Sequence, residues 1–320
     1  MVMKITMKIM TNLNRLKVNE KMTNKDKILV TGATGHYGYA VIASLIENGV
    51  NGSMIYAMVR DYSKVEKLKS LNVNIVFGDY NNYSSLLNAF TGIDKLLFVS
   101  SDELENRSER HVQVVNAAVA SGIKDILYTS QEHKDVNFSP IEFILSSHLA
   151  TENAIKASGM NYTILRNGPY MDILPSFLGE NIFKYGIYLP AGNGKMGFAL
   201  RSEMAESAAK VLISPDHKNK TYNVSGDSYS FFEIAECISQ ITGKNITYLS
   251  PGLDAFLNTM IDQGMSKRCA KMIGGFAAAT RQGELESDGS QMEKLLGRKP
   301  LTVKQYLEEI FIWNFLGSVG

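Results

Sequence analysis

Cysteine is scarce in this chain: among 320 residues only Cys237 and Cys269 carry a thiol, and they lie far apart. Two isolated thiols supply neither a disulfide framework nor the four ligands of a structural zinc site, and they suit a reducing compartment. A cytoplasmic location is therefore expected. The five histidines are scattered without ligand spacing, which argues against a metal hydrolase. No apolar run approaches the roughly 18 residues that a membrane helix needs; AVIASLI at 40–46 is among the longest. An excess of one charge sign is missing too. With 33 basic residues against 32 acidic ones the net charge is +1, so neither nucleic acid nor an anionic membrane has an electrostatic claim on the chain as a whole.

Several motifs are also absent. No Gly-x-Ser-x-Gly elbow offers a serine nucleophile, no P-loop occurs, and no internal repeat or low-complexity tract divides the chain. The first 25 residues carry six Lys or Arg and one Glu, and lysines interrupt each apolar stretch, so no signal-peptide core forms. Residues 1–25 are expected to be a basic, disordered leader. The remainder, in a chain with 45% hydrophobic residues, is long enough to bury one large α/β core with a smaller subdomain.

After the leader, short β-rich runs alternate with helical patterns, the rhythm of βαβ units and a parallel sheet. Strands are expected at 27–32, 54–60, 73–79, 95–101, 124–130 and 161–168, with a returning strand near 220–227. The first helix turns Val41, Ile42, Leu45 and Ile46 to one face and stops at Gly49. A helix near 108–121 is expected to bury Val112, Val115 and Val119. The glycine-rich stretch 185–200 reads as loops or a hairpin, and residues 229–320 read as mainly helical. The fold class is thus α/β: a Rossmann doubly wound parallel sheet with a smaller, mainly helical C-terminal substrate domain. Residues 26–170 would form the NAD(P)-binding domain with the strand near 220–227, and residues 171–219 and 228–320 the substrate-covering subdomain.

Between the first strand and first helix stands TGATGHYG, with Gly32, Gly35 and Gly38 at three-residue intervals. A pyrophosphate can rest on the amides of a helix start only if side chains do not intervene, and the tight turn needs permissive dihedrals. Gly32 would make the turn, Gly35 admit the phosphates, and Gly38 let the helix pack on its strand. A dinucleotide is the expected cofactor. The second strand ends AMVRD, placing Arg60 and then Lys64 where a 2′-phosphate would lie, so NADPH is favoured over NADH. Asp61 competes, as a ribose-binding acid or a helix cap. Asp79, ending the third strand, is positioned either to accept from the adenine amine or to cap a helix. Thr34, His36 and Tyr37 in the turn, with Ser100, Ser101 and Thr129 at strand ends, complete the cofactor-binding set.

The Tyr-x-x-x-Lys pair, in which lysine lowers the phenol's pKa for proton exchange with an alcohol, does not occur. Tyr128 is followed at that spacing by Glu132, and Tyr162 by Arg166. Alcohol oxidation and sugar epimerisation lose their usual acid/base pair. An acceptor that needs no strong enzymic acid fits better, since positioning over the nicotinamide supplies most of the catalysis.

VTGATGHYG, AMVRD, FGDYNN, KLLFVSS, HLATENAIKASGMNYTILRNGPYMD, NKTYNVSG and LLGRKP, in this order, resemble the NmrA-like atypical short-chain dehydrogenases, and within them the quinone oxidoreductase 2 and triphenylmethane reductase group. The resemblance runs from about residue 26 to near the C-terminus. It implies an NADP-binding Rossmann domain, a small substrate domain, and hydride transfer to quinones or cationic dyes. Arg60 falls on that family's 2′-phosphate contact. His148 falls where isoflavone-reductase-type enzymes carry a lysine, a partial match that implies a bond to the nicotinamide ribose. Asn167, Gly168 and Tyr170 fall on the segment beside the nicotinamide, and His148 and Tyr170 are the catalytic candidates. The expected partner is a small quinone-like molecule, without nucleic acid or membrane, bound by a monomer or homodimer. The alternative is a non-catalytic NmrA-like protein that senses NADP(H) and regulates a partner.

Overall fold

Ile28–Val30 (β1) is apolar and buried at every position, as a strand covered on both faces requires. In the computed structural model, which describes residues 26–316, β1 lies inside a seven-stranded parallel sheet. The expected leader, residues 1–25, lies outside the described residues. Strands β2 (Ile55–Val59), β3 (Asn74–Phe77), β4 (Lys95–Phe98), β5 (Asp125–Gln131), β6 (Asn161–Asn167) and β9 (Lys220–Val224) complete it in the order β3-β2-β1-β4-β5-β6-β9. Ile28 pairs with Ile55 on one side and Lys95 on the other, so chain order reverses at β1. The crevice beyond the carboxyl ends of β1 and β4 is the place where such sheets bind ligands.

Helices cover both faces. Helix α1 (His36–Glu47) follows β1, the short α2 (Glu66–Lys69) follows β2, and α3 (Tyr83–Phe90), α4 (Arg107–Ala120) and α5 (Glu142–Ala157) follow β3, β4 and β5. Val41, Ile42 and Leu45 of α1 pack with residues of α8 (Arg201–Ile213) and α12 (Ser290–Leu296) on one face; residues of α3, α4 and α5 pack on the other. Helix α1 ends at Asn48, and Gly49 takes the left-handed φ of 89° that closes it.

Helix α4 is rotated from the expected phase. Val119 is exposed and Val112 only half-buried, whereas Arg107, His111, Val114, Val115 and Ala118 point inward. Two polar residues one turn apart lead this buried stripe.

The second block holds α6 (Leu174–Leu178), α7 (Ile182–Tyr185), β7 (Ile187–Tyr188), β8 (Lys195–Gly197), β10 (Ser228–Ser230), α9 (Phe231–Thr242), β11 (Tyr248–Leu249), α10 (Leu253–Asp262), α11 (Lys267–Arg281) and α13 (Val303–Leu316). Its core gathers Phe177, Phe198, Phe231 and Leu307. Ser230 and Glu233 form a reciprocal capping box that starts α9. The stretch 185–200 is not a hairpin: β7 pairs with β11 and β8 with β10, in separate two-stranded sheets. Among the described residues no helix is long and apolar enough to cross a membrane, and no three His, Cys, Asp or Glu gather as metal ligands.

Candidate functional site

The turn after β1 is built as its glycines demand. Gly32 has a φ of 59°, a region costly for residues with a Cβ. At position 38 a Cβ would lie 2.4 Å from the Gly32 carbonyl oxygen, so only glycine lets α1 sit on the turn. Gly35, the N-cap of α1, has no such clash: a Cβ there would lie 3.2 Å from the same oxygen, on an exposed surface. No side chain caps the helix start. The turn thus presents exposed Thr34, Gly35 and His36 and the positive end of α1 at the crevice, a cradle that fits a pyrophosphate. Tyr37 faces inward instead. It is buried and its hydroxyl donates to the Met204 carbonyl of α8 at 3.3 Å.

At the end of β2, Arg60 is exposed and its Nη1 lies 2.6 Å from Glu103 Oε1. Asp61 caps the short turn Tyr62–Lys64, accepting from the Ser63 amide at 2.8 Å. Asp79 is half-buried beyond β3 and accepts from the Asn81 amide at 2.9 Å; Asn82, not Asp79, caps α3. A signal missed in the sequence is Tyr80, whose hydroxyl lies 2.7 Å from the Val99 carbonyl and 2.5 Å from Thr31 Oγ1, holding the ends of β1 and β4 together.

Beyond β4 and β5 lies a buried polar network. Thr129 Oγ1 accepts from the Ser100 amide at 2.9 Å, and the Ser101 amide donates to His111 Nε2 at 3.1 Å. His111 Nδ1 therefore carries the proton, toward Thr151 Oγ1 at 3.0 Å. Arg107 Nη2 donates to His148 Nε2 at 3.1 Å, which leaves His148 Nδ1–H for the Tyr128 hydroxyl at 2.8 Å. Burial, reinforced by the Arg107 charge, holds His111 down to about 3 and His148 well below the usual imidazole range, so both rings are neutral. His148 is 4% exposed with both nitrogens engaged.

The segment after β6 forms the other wall. Asn167 is buried at the strand end, and neither atom of its amide has a hydrogen-bond partner. Tyr170 is half-buried, its ring 6.4 Å from that of Tyr37 and covered by the Arg201 guanidinium at 4.5 Å. At Gly168 a Cβ would lie 2.7 Å from Ser225 Cβ and 3.0 Å from Glu132 Oε2. Glu132, at the end of β5, is buried, and burial pushes its carboxyl up to about 7 against the pull of the Ser225 hydroxyl. Ser130 and Arg166 hold buried Glu152, Arg166 with two bonds of 2.9 and 2.7 Å. At the carboxyl ends of the parallel strands stand the glycine turn after β1, Arg60 after β2, Asp79 after β3, Ser100 and Ser101 after β4, Thr129 near the end of β5 and Asn167 at the end of β6, with the Tyr170 ring 6.4 Å from that of Tyr37 and His148 buried on α5.

The NmrA-like family profile matches residues 24–307. The chain belongs to the NmrA-like family. This NmrA-like chain is 33% identical over 291 residues to quinone oxidoreductase 2 of Escherichia coli, covering 90% of itself and 99% of that relative. Among solved structures it is similar to the E. coli NADPH-dependent quinone oxidoreductase complexed with NADPH, with a TM-score of 0.82 and 32% identity over 89% of this chain and 99% of that one. A Citrobacter triphenylmethane reductase complexed with NADP(H) is similar at a TM-score of 0.82 and 33% identity, over 88% and 99%. Sequence reasoning missed Arg107, His111 and Glu132, whose polarity gave no sign of burial.

Proposed function

We propose that this chain passes a hydride from NADPH to a quinone or a similar flat electrophilic acceptor. The coarser statement is plain: it is an NAD(P)H-dependent oxidoreductase of the NmrA-like family, with NADPH as cofactor. The observation that carries the reading is the uncapped start of α1 behind a glycine turn, joined to full-length similarity to a quinone reductase. In this reading residues 26–170 with β9 hold the cofactor, and residues 171–219 and 228–320 cover the acceptor.

The chain's residues have distinct tasks. Gly32, Gly35 and Gly38 shape the phosphate cradle, and Arg60 exchanges Glu103 for the 2′-phosphate. Ser100, Ser101 and Thr129 set the floor between β4 and β5; Asn167 and Tyr170 set the wall. NADPH supplies the hydride. His148 holds the Arg107 guanidinium in place from behind. With both histidines neutral and engaged, the product's proton comes from water.

Purified protein with NADPH, a panel of simple quinones and a cationic triarylmethane dye tests this by cofactor absorbance, with NADH in parallel. Turnover that needs both protein and acceptor is expected. Replacing Arg60 with Ala should raise KM for NADPH about tenfold and leave NADH within about twofold. Tight NADP binding without turnover would instead make the chain a cofactor-sensing regulator.

A further inference from the structure

Arg107 opens α4 and is 6% exposed. Among the described residues its one side-chain hydrogen bond runs to His148, a neutral ring, and its Nε has no partner. Among the described residues no carboxylate makes an ion pair with it. Glu103 is taken by Arg60 and Arg110, and Asp102, which acts on Arg107 through space, is exposed. A guanidinium out of water without a counter-ion is an unsettled charge. The element adds to it, since α4 brings its positive end there and Asn106, at a φ of 47°, supplies no side-chain cap. Through His148 the guanidinium is linked to the Tyr128 hydroxyl, 2.8 Å from His148 Nδ1, and while burial pushes the Tyr170 phenol up, the Arg107 charge pulls against it.

We propose that Arg107 stabilises the negative charge that a neutral acceptor gains on reduction, and so makes this site select quinones over cationic dyes. The proposal rests on the hydride-transfer reading. When the hydride leaves NADPH, both electrons go to the quinone; NADPH becomes NADP+, a C–H or O–H bond forms on the acceptor, and an oxygen becomes an oxyanion that water then protonates. That oxyanion is the charge Arg107 offsets. With a triarylmethyl cation the hydride adds to the central carbon and leaves a neutral product. No anion forms, and the guanidinium repels the incoming cation.

The test compares wild-type protein with Arg107→Gln and Arg107→Met, using a neutral quinone and a cationic triarylmethane dye with each preparation, and titrates NADPH binding separately. The ratio of the two rates is independent of the folded fraction, so a partly unfolded variant still reports. The ratio should fall about 100-fold in both variants, through quinone kcat, with dye turnover unchanged or higher and NADPH Kd within about twofold. Arg107→Lys should recover part of the quinone rate. Equal loss with both acceptors, or loss that follows weaker NADPH binding, would overturn the proposal, as would a wild-type preference for the dye. Wild-type turnover of neither acceptor would remove the hydride-transfer reading itself.

Discussion

A carboxyl group taken out of water keeps its proton, and Glu132 is such a group. Its folded pKa of about 7 lies above the 4.5 of an exposed glutamate, so the native state binds the extra proton between those values. The stability this contributes is present below 4.5 and lost as pH rises through 7. Glu132→Gln keeps the shape and removes the charge. The variant should be more stable than wild type at about pH 8, by about 1–3 kcal/mol, and differ little at about pH 5. Urea melts at the two pH values check this; an equal difference at both would refute it. Legibility at this scale followed backbone demand. Gly32 and Gly38 were readable because the turn's positive φ and close backbone approach favour glycine there, and Gly35 because it leaves the helix start open, whereas Arg107 and His111 carry the marks of a solvated face and are buried by tertiary contacts.

Two glycines of one turn separate binding from folding. At Gly38 an added methyl meets the backbone of Gly32, which has nowhere to move, so Gly38→Ala should cost about 2–4 kcal/mol of stability. At Gly35 the added methyl meets that oxygen at 3.2 Å on an open surface. Gly35→Ala should melt within a few degrees of wild type yet bind NADPH at least about tenfold more weakly. Thermal melts set beside cofactor titrations decide it, and a pair of variants that lose both properties together would count against the division of labour. Elements with a strong period were legible, as in α1. The phase of α4 was not, because its inward stripe begins with an arginine and a histidine. Nor was the pairing of β7 and β8, whose partners β11 and β10 lie far along the chain and leave no local trace.

For the molecule as a whole, acid is the direction of weakness within the buried network. His111, held at about 3 against an exposed value of 6.5, and His148, held well below that value, take up protons only on unfolding. Their contribution is complete above 6.5 and lost as pH falls toward 3, at about 1.4 kcal/mol per pH unit for each ring. The urea midpoint should drop steadily on acidification below about pH 6.5, and His111→Gln should flatten that slope whatever it does to stability at neutral pH. A midpoint indifferent to pH in this range would count against neutral buried rings.

The seventh strand, β9, pairs with β6 but is encoded only after the first, smaller part of the second block. During synthesis the sheet therefore waits: β6 leaves the ribosome as a bare parallel edge and stays open until Lys220–Val224 follows. A chain stopped before that point carries the whole glycine turn and Arg60, yet leaves the backbone edge of β6 without its partner and open to pairing with another chain. Translation order thus ties the nucleotide-binding half to the block that comes after it.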